Sequence, residues 1–211
     1  MPTEQPTRAP HRSKGRPRTF DRETALLNAL DVFWRRGYEP ASVAELCATM
    51  GINPPSLYAA FGNKAQLFLE AVNHYEKVYW EATWDRMAKE LDLHCAIKNF
   101  FHEAAHILTS PDAPCGCLVV LAAINVSPES QGIIDALKVF RQEGRNYFLN
   151  RLKRGIEEGS LPPQTDVLAL AITLNTVLEG MSIQARDGLS QTELESIAIT
   201  VIAMLPPRPA T

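Results

Sequence analysis

The sequence predicts an all-α chain in which an N-terminal unit of three short helices, ending in a helix-turn-helix, precedes a larger helical part. Three observations carry that expectation. Apolar residues recur at the 3.6-residue helical spacing along most of the chain, while strand-like alternation is scarce. Side chains suited to capping helices stand ahead of these stripes, and glycine or proline closes them. A chain of 211 residues with 45% apolar content can hold one medium domain, or a small one docked on a larger one.

Residues 1–19, rich in Pro, Thr and Arg, are expected to form a flexible basic arm. The N-terminal domain is expected over residues 20–80, with the helix-turn-helix at 42–61. From Asp21 the stripe Ala25, Leu26, Ala29, Leu30, Phe33 marks a first helix, which Gly37 should close in the left-handed conformation. Ser42 and Glu45 have the spacing of a capping box, in which each satisfies the other's backbone N–H, and this second helix should end near Gly51. Asn53 is a good N-cap for a third helix, and Pro54 and Pro55 start that helix without losing a bond, because the first N–H groups have no intrahelical partner. Asn63 caps the next helix, which is expected to reach Trp84. Lys64 in its first turn faces the unfavourable end of the helix dipole, which suggests an external anion nearby.

A helix, a short turn and a short second helix is the arrangement that places the second helix in a DNA major groove. The low charge of residues 53–64 then makes sense. Asn53 or Ser56 can hydrogen-bond base edges, while Pro54, Pro55 and Ala59 can touch thymine methyls. Ser42, Tyr58 and Lys64 supply phosphate-binding donors on either side. The structural alternative is a small helical packing motif with Tyr58 half buried. Upstream, Gly15-Arg16-Pro17-Arg18 has the shape of an AT-hook core, whose Arg16 and Arg18 can enter an A/T minor groove.

Thr24 to Val72 resembles the DNA-binding domain of the TetR/AcrR family of bacterial one-component repressors. The matching residues are Gly37-Tyr38, Ser42-Val43, Gly51-Ile52, Ser56-Leu57-Tyr58, Phe61, Lys64 and Leu67. The resemblance implies that Ser42, Tyr58 and Lys64 contact phosphates and that Asn53, Pro54, Pro55, Ser56 and Ala59 lie at or near the base-reading surface. Many members have histidine before the Phe, where this chain has Ala60. It further implies that residues 81–211 form a helical effector-binding and dimerisation domain, and that the chain is a homodimeric repressor of palindromic double-stranded DNA operators, released by a small-molecule effector.

In that larger part, Ile97, Phe100, Phe101, Ala104 and Leu108 mark one helix. Ser127-Pro128 starts another, which Gly159 stops, and Leu161-Pro162-Pro163 reads as a hinge or linker. Val167, Leu170, Leu174 and Val177 stripe a further helix, and Leu194, Ile197 and Val201 a last one capped at Ser190 to Glu193; these seven are the expected dimer interface. Cys117 to Ile124 could be strand or helix, and its all-helical neighbourhood and the resemblance favour helix. Trp80, Trp84, Phe100, Phe101, His102, His106, Asn125, Tyr147 and Met181 lie on segments that could surround a cavity for an organic ligand.

The net charge of −3 hides an asymmetry. Residues 1–69 hold nine basic and six acidic side chains, and the remainder twelve and eighteen. Arg8, Arg12, Lys14, Arg16, Arg18 and Arg22 crowd one stretch, as in a polyanion-seeking arm. The longest uninterrupted apolar run, Cys117 to Ile124, is too short for a bilayer, so a cytoplasmic location without a membrane partner is expected. Four cysteines suit a reducing compartment. No phosphate loop or catalytic carboxylate pair stands out, and no enzymatic activity, cofactor or metal is expected. The functional alternatives are a metal- or thiol-dependent sensor or enzyme using His102, His106, Cys115 and Cys117, and an AT-hook-like architectural DNA binder.

Overall fold

A computed structural model of the chain describes residues 20–122 and 126–208. Arg16 and Arg18, and the expected cavity residue Asn125, lie outside the described residues. Among those residues there are ten α-helices and no strand.

Helix α1 (Arg22–Arg36) starts at Asp21, whose carboxylate accepts from the Glu23 N–H at 3.0 Å. Its apolar side packs on α2 (Val43–Met50) and α4 (Lys64–Tyr75), with Phe33 meeting Phe68 edge-on at 5.0 Å. Between these, α3 (Pro54–Phe61) buries Leu57 and Phe61 and turns its other side to solvent. Two local expectations need correction. The Ser42 hydroxyl accepts from the Glu45 N–H, but Glu45 turns away to Arg36 at 3.7 Å, so only half of the capping box forms. Gly37 has φ +83° and ψ 173°, an extended backbone of positive φ rather than a left-handed helical cap. A Cβ there would lie 3.1 Å from the Ala122 carbonyl oxygen, which already accepts from the Tyr38 N–H.

α4 does not stop at the small unit. It continues through a π turn (Glu76–Trp80) into α5 (Glu81–Lys89), five residues beyond the expected Trp84. The guanidinium groups of Arg151 and Arg154 cover the carbonyls at the end of α5. They supply positive charge where the helix dipole is negative.

α6 (Leu93–Leu108) is packed along its length by α10 (Gln191–Met204), and α8 (Gln131–Glu157) by α9 (Val167–Arg186). Ser190 and Glu193 form the full capping box that α2 lacks. α7 (Leu118–Leu121) is a single helical turn, and a short 3₁₀ turn (Pro128–Ser130) leads into α8. Leu161 is fully buried, so the expected linker is anchored in the core.

The two halves are tied together around the loop before α7. Trp34 donates its indole N–H to the Gly116 carbonyl at 2.8 Å, and Arg186 reaches both the Cys115 and the Trp34 carbonyls. Gly116 has φ +83°, and a Cβ would meet the Ser182 carbonyl oxygen at 2.7 Å, so backbone and packing both require glycine.

Candidate nucleic-acid interface and cavity

Because Leu57 and Phe61 hold the inner side of α3, the residues between them face outward. Asn53, Pro54, Pro55, Tyr58 and Ala59 are exposed, and Ser56 is half-buried beside the turn. The Asn53 side-chain oxygen accepts from the Ser56 N–H at 2.9 Å, which leaves its NH₂ group to donate outward. The Ser42 hydroxyl likewise spends its oxygen on the cap and keeps its proton. Tyr58 is 50% exposed, so its phenol is open to a partner outside the chain while the rest of its ring is covered. Phe20, the first described residue, lines a groove at the same turn with Cys47, Ile52 and Ser56.

Lys64 has partners within the chain. Its ammonium donates to the Glu39 carbonyl at 3.1 Å and lies 4.5 Å from the centre of the Tyr38 ring. Burial lowers its pKa while the Glu39 carboxylate opposes the shift. The partners it finds at the helix start are therefore internal, and two ammonium protons remain for a further acceptor. Glu39 is itself engaged. Its carboxylate accepts from the Ser127 N–H, the Ser127 hydroxyl and the Ser130 hydroxyl at 2.5–3.0 Å, and these bonds hold its pKa down at about 2. Arg22 also leaves the group to which the sequence assigned it. It forms a two-pronged pair with Glu70 and lies over the Phe61 ring at 4.4 Å, closing α1 onto α4 instead of extending the basic arm.

Behind this head, α4, the π turn, α5, α7 with its cap Cys117, α8 and α9 line a cavity of about 340 Å³ that is open to solvent on one side. Trp80, Trp84 and Tyr147 are on its wall as expected, with Trp84 and Tyr147 stacked at 5.0 Å. The other expected lining residues within the described part are not. Phe101 and Met181 are core residues, Phe100 packs under Trp84, and His102 and His106 stand away from the cavity on α6, with His106 exposed beside Gln191. The sequence reading missed the polar wall: Glu76, Arg141, Glu143, Asn175 and Glu179. A signal for part of it existed, because Asn175 and Glu179 stand four residues apart in a helix that holds no other carboxylate or Asn, and they hydrogen-bond each other at 2.8 Å. Burial, and then the like charge of Glu143, push the Glu76 carboxyl up to about 7.

The His/Cys set of the alternative reading is not assembled. Among the described residues no three His, Cys, Asp or Glu side chains are placed to hold a metal ion. The buried Cys117 thiol is pushed up to about 12, chiefly by burial, and so stays protonated and unreactive at neutral pH.

Part of the expected dimer surface also needs correction. Leu174, Leu194 and Val201 are fully buried within their own subunit, because α9 packs on α8 and α6 and the stripe on α10 is the side that packs on α6. Val167, Leu170, Val177 and Ile197 are half-buried, and the exposed apolar side carries Leu168, Ile172, Ile183 and Ile199. By length and composition alone α9 could cross a membrane, a property that a search for uninterrupted apolar runs overlooks.

Comparison with known proteins agrees with this architecture. The model for bacterial regulatory proteins of the tetR family matches residues 26–71, and that for the tetracyclin repressor-like C-terminal domain matches residues 95–198. The HTH-type transcriptional repressor ComR of Escherichia coli (strain K12) is 34% identical over 201 residues, 95% of this chain and 96% of that protein. BdcR, another HTH-type transcriptional repressor of that strain, is 30% identical over 188 residues, covering 89% and 90%. A solved structure of the TetR family transcriptional regulator CifR, a cysteine mutant complexed with 26bp double-strand operator DNA, is 43% identical with a TM-score of 0.88, covering 90% of this chain and 100% of that one. Likeness of this extent runs through head and cavity alike, and the chain belongs to the tetR family of bacterial DNA-binding transcriptional regulators.

Proposed function

We propose that the chain acts in the cytoplasm as a homodimeric repressor that holds a palindromic operator through α3 and lets it go when a small molecule fills the cavity. The observation that carries this reading is the outward side of α3. It is uncharged, exposed over Asn53, Pro54, Pro55 and Ala59, and flanked by the donors of Ser42, Tyr58 and Lys64. A surface of this kind reads base edges with its centre and holds phosphates with its rim. Relatives support it: ComR and BdcR are named repressors, and the CifR structure contains operator DNA.

In this reading residues 20–80 are the DNA-binding head and residues 81–211 the regulatory and dimerisation part. Residues 1–19 lead in sequence to Phe20, which lines the groove beside the helix-turn-helix, and in this reading Arg16 and Arg18 enter the adjoining minor groove. Two copies related by a twofold axis would cover the apolar residues Leu168, Ile172 and Ile199 of α9 and α10. Their reading helices must then lie about 34 Å apart to enter successive major grooves. A ligand that favours another spacing weakens the complex, and a 100-fold loss needs only about 2.7 kcal/mol of coupling.

Selection of bound sites from random duplex DNA tests the proposal and yields the half-site. Asn53→Asp keeps an N-cap but removes the outward NH₂, so the preferred base should change. Lys64→Gln should weaken all sites alike and reduce the salt slope by about 0.9. No preference for any duplex over random competitor at moderate ionic strength would overturn the function.

A further inference from the structure

The chemistry of the cavity wall narrows what can fill it, on the reading that this cavity is the regulatory site. Its size, about 340 Å³, is that of a small organic ligand. One side is aromatic. Trp84 lies between Phe100 at 4.3 Å and Tyr147 at 5.0 Å, so its position is fixed before any ligand arrives.

The other side is acidic. Glu76 from the π turn and Glu179 from α9, both half-buried, line the cavity together with Glu81 and Asp85 from α5 and Glu143 from α8, which are exposed at its rim, against only Lys77 and Arg141 among basic residues. Arg141 donates to the Val119 carbonyl at 3.1 Å, and Glu179 accepts from Asn175. Glu76 has no such partner among the described residues, and both influences on it, burial and Glu143, work against its charge. An anionic ligand would add a further like charge here. A neutral one would leave the opposition between Glu76 and Glu143 to be relieved by a proton alone. A bare metal ion would find no assembled set of ligands among the described residues.

We propose that the cavity is a receptor for an organic cation, an ammonium or guanidinium carried on an aromatic or aliphatic body. The cationic group sits beside Glu76 and Glu143, and the body lies against Trp80, the edge of Trp84 and the half-exposed ring of Tyr147, whose face attracts both cation and apolar surface. Because Glu76 is partly protonated in the empty site at neutral pH, binding releases that proton, and affinity rises as pH climbs through about 7.

Calorimetric titration of the full-length protein with phenethylammonium, phenylethanol and phenylacetate tests this, since the three share one body and differ in charge. The ammonium should bind about tenfold more tightly than the alcohol, with phenylacetate weakest, and its advantage should grow from about pH 6 to about pH 8. Glu76→Gln should bring the ammonium down to the level of the alcohol; Glu143→Gln is the second variant and should reduce the same difference. Equal binding of the three, preference for phenylacetate, or no binding at all overturns the proposal. Operator binding by the same samples is the separate measure of the repressor reading. Release of the operator by the alcohol or phenylacetate would keep that reading and remove the cation.

Discussion

Glu39 and Glu76 are the same side chain put to opposite uses. Glu39, between α1 and α2, reaches into the start of α8, where one backbone N–H and two hydroxyls donate to it and hold its pKa at about 2. Glu76, on the cavity wall, meets burial and a second carboxylate, which raise it to about 7. The junction between head and regulatory part is completed from within the chain, while the cavity is left electrostatically incomplete. A region with every charge answered serves as structure, and one with an unanswered charge is ready to receive a ligand.

Three experiments can break or sharpen that contrast. The largest effect is expected at Gly116, where the junction has no slack. Gly116→Ala must strain a backbone at φ +83° and push on the Ser182 carbonyl, and should cost about 2–3 kcal/mol in denaturant unfolding. A loss below about 1 kcal/mol would mean that the junction can yield. Next comes Glu39→Gln. A carboxyl depressed from 4.5 to about 2 adds stability that is present above pH 4.5 and is lost as pH falls toward 2. The variant should have a thermal midpoint a few degrees lower at neutral pH and a weaker dependence on acid; an unchanged acid profile would remove Glu39 as a tie. The smallest effect is expected at Glu76. A carboxyl raised from 4.5 to about 7 favours the folded state below that range, so the empty protein should lose stability as pH rises through it. Glu76→Gln should flatten that slope in melts recorded from about pH 5 to about pH 8, and a slope that persists would shift the effect to another group.

The head was largely legible because its signals are local. Asp21, Asn53 and Asn63 cap helices over three residues, and the apolar spacing of α1 identifies the side that it buries. What lay hidden depends on distant partners. Nothing near Glu39 in sequence points to Ser127, and Arg22 reads as arm until Glu70 is beside it. Leu174, Leu194 and Val201 were correctly seen as apolar stripes, but a stripe does not say whether it faces its own chain or a second copy. In the cavity, Trp80, Trp84 and Tyr147 could be found by residue type. The acids could not, because a charged residue on a helix is usually solvated, and only Glu179, the single carboxylate of α9 and paired with Asn175, broke that rule.

The π turn at Glu76–Trp80 gives the rod from Lys64 to Lys89 an unusual tolerance. Such a turn accommodates one residue beyond ordinary helical winding, at the point where the rod leaves the head and enters the cavity. Shortening the chain by a single residue inside it would let the backbone relax to regular helix while Lys64 and Arg86 keep their facing. The same deletion within α4 would swing every later side chain round by about 100° and draw it in by about 1.5 Å. A one-residue trim of this connector is therefore tolerated inside the π turn, where it leaves the head engaged with the part that governs it.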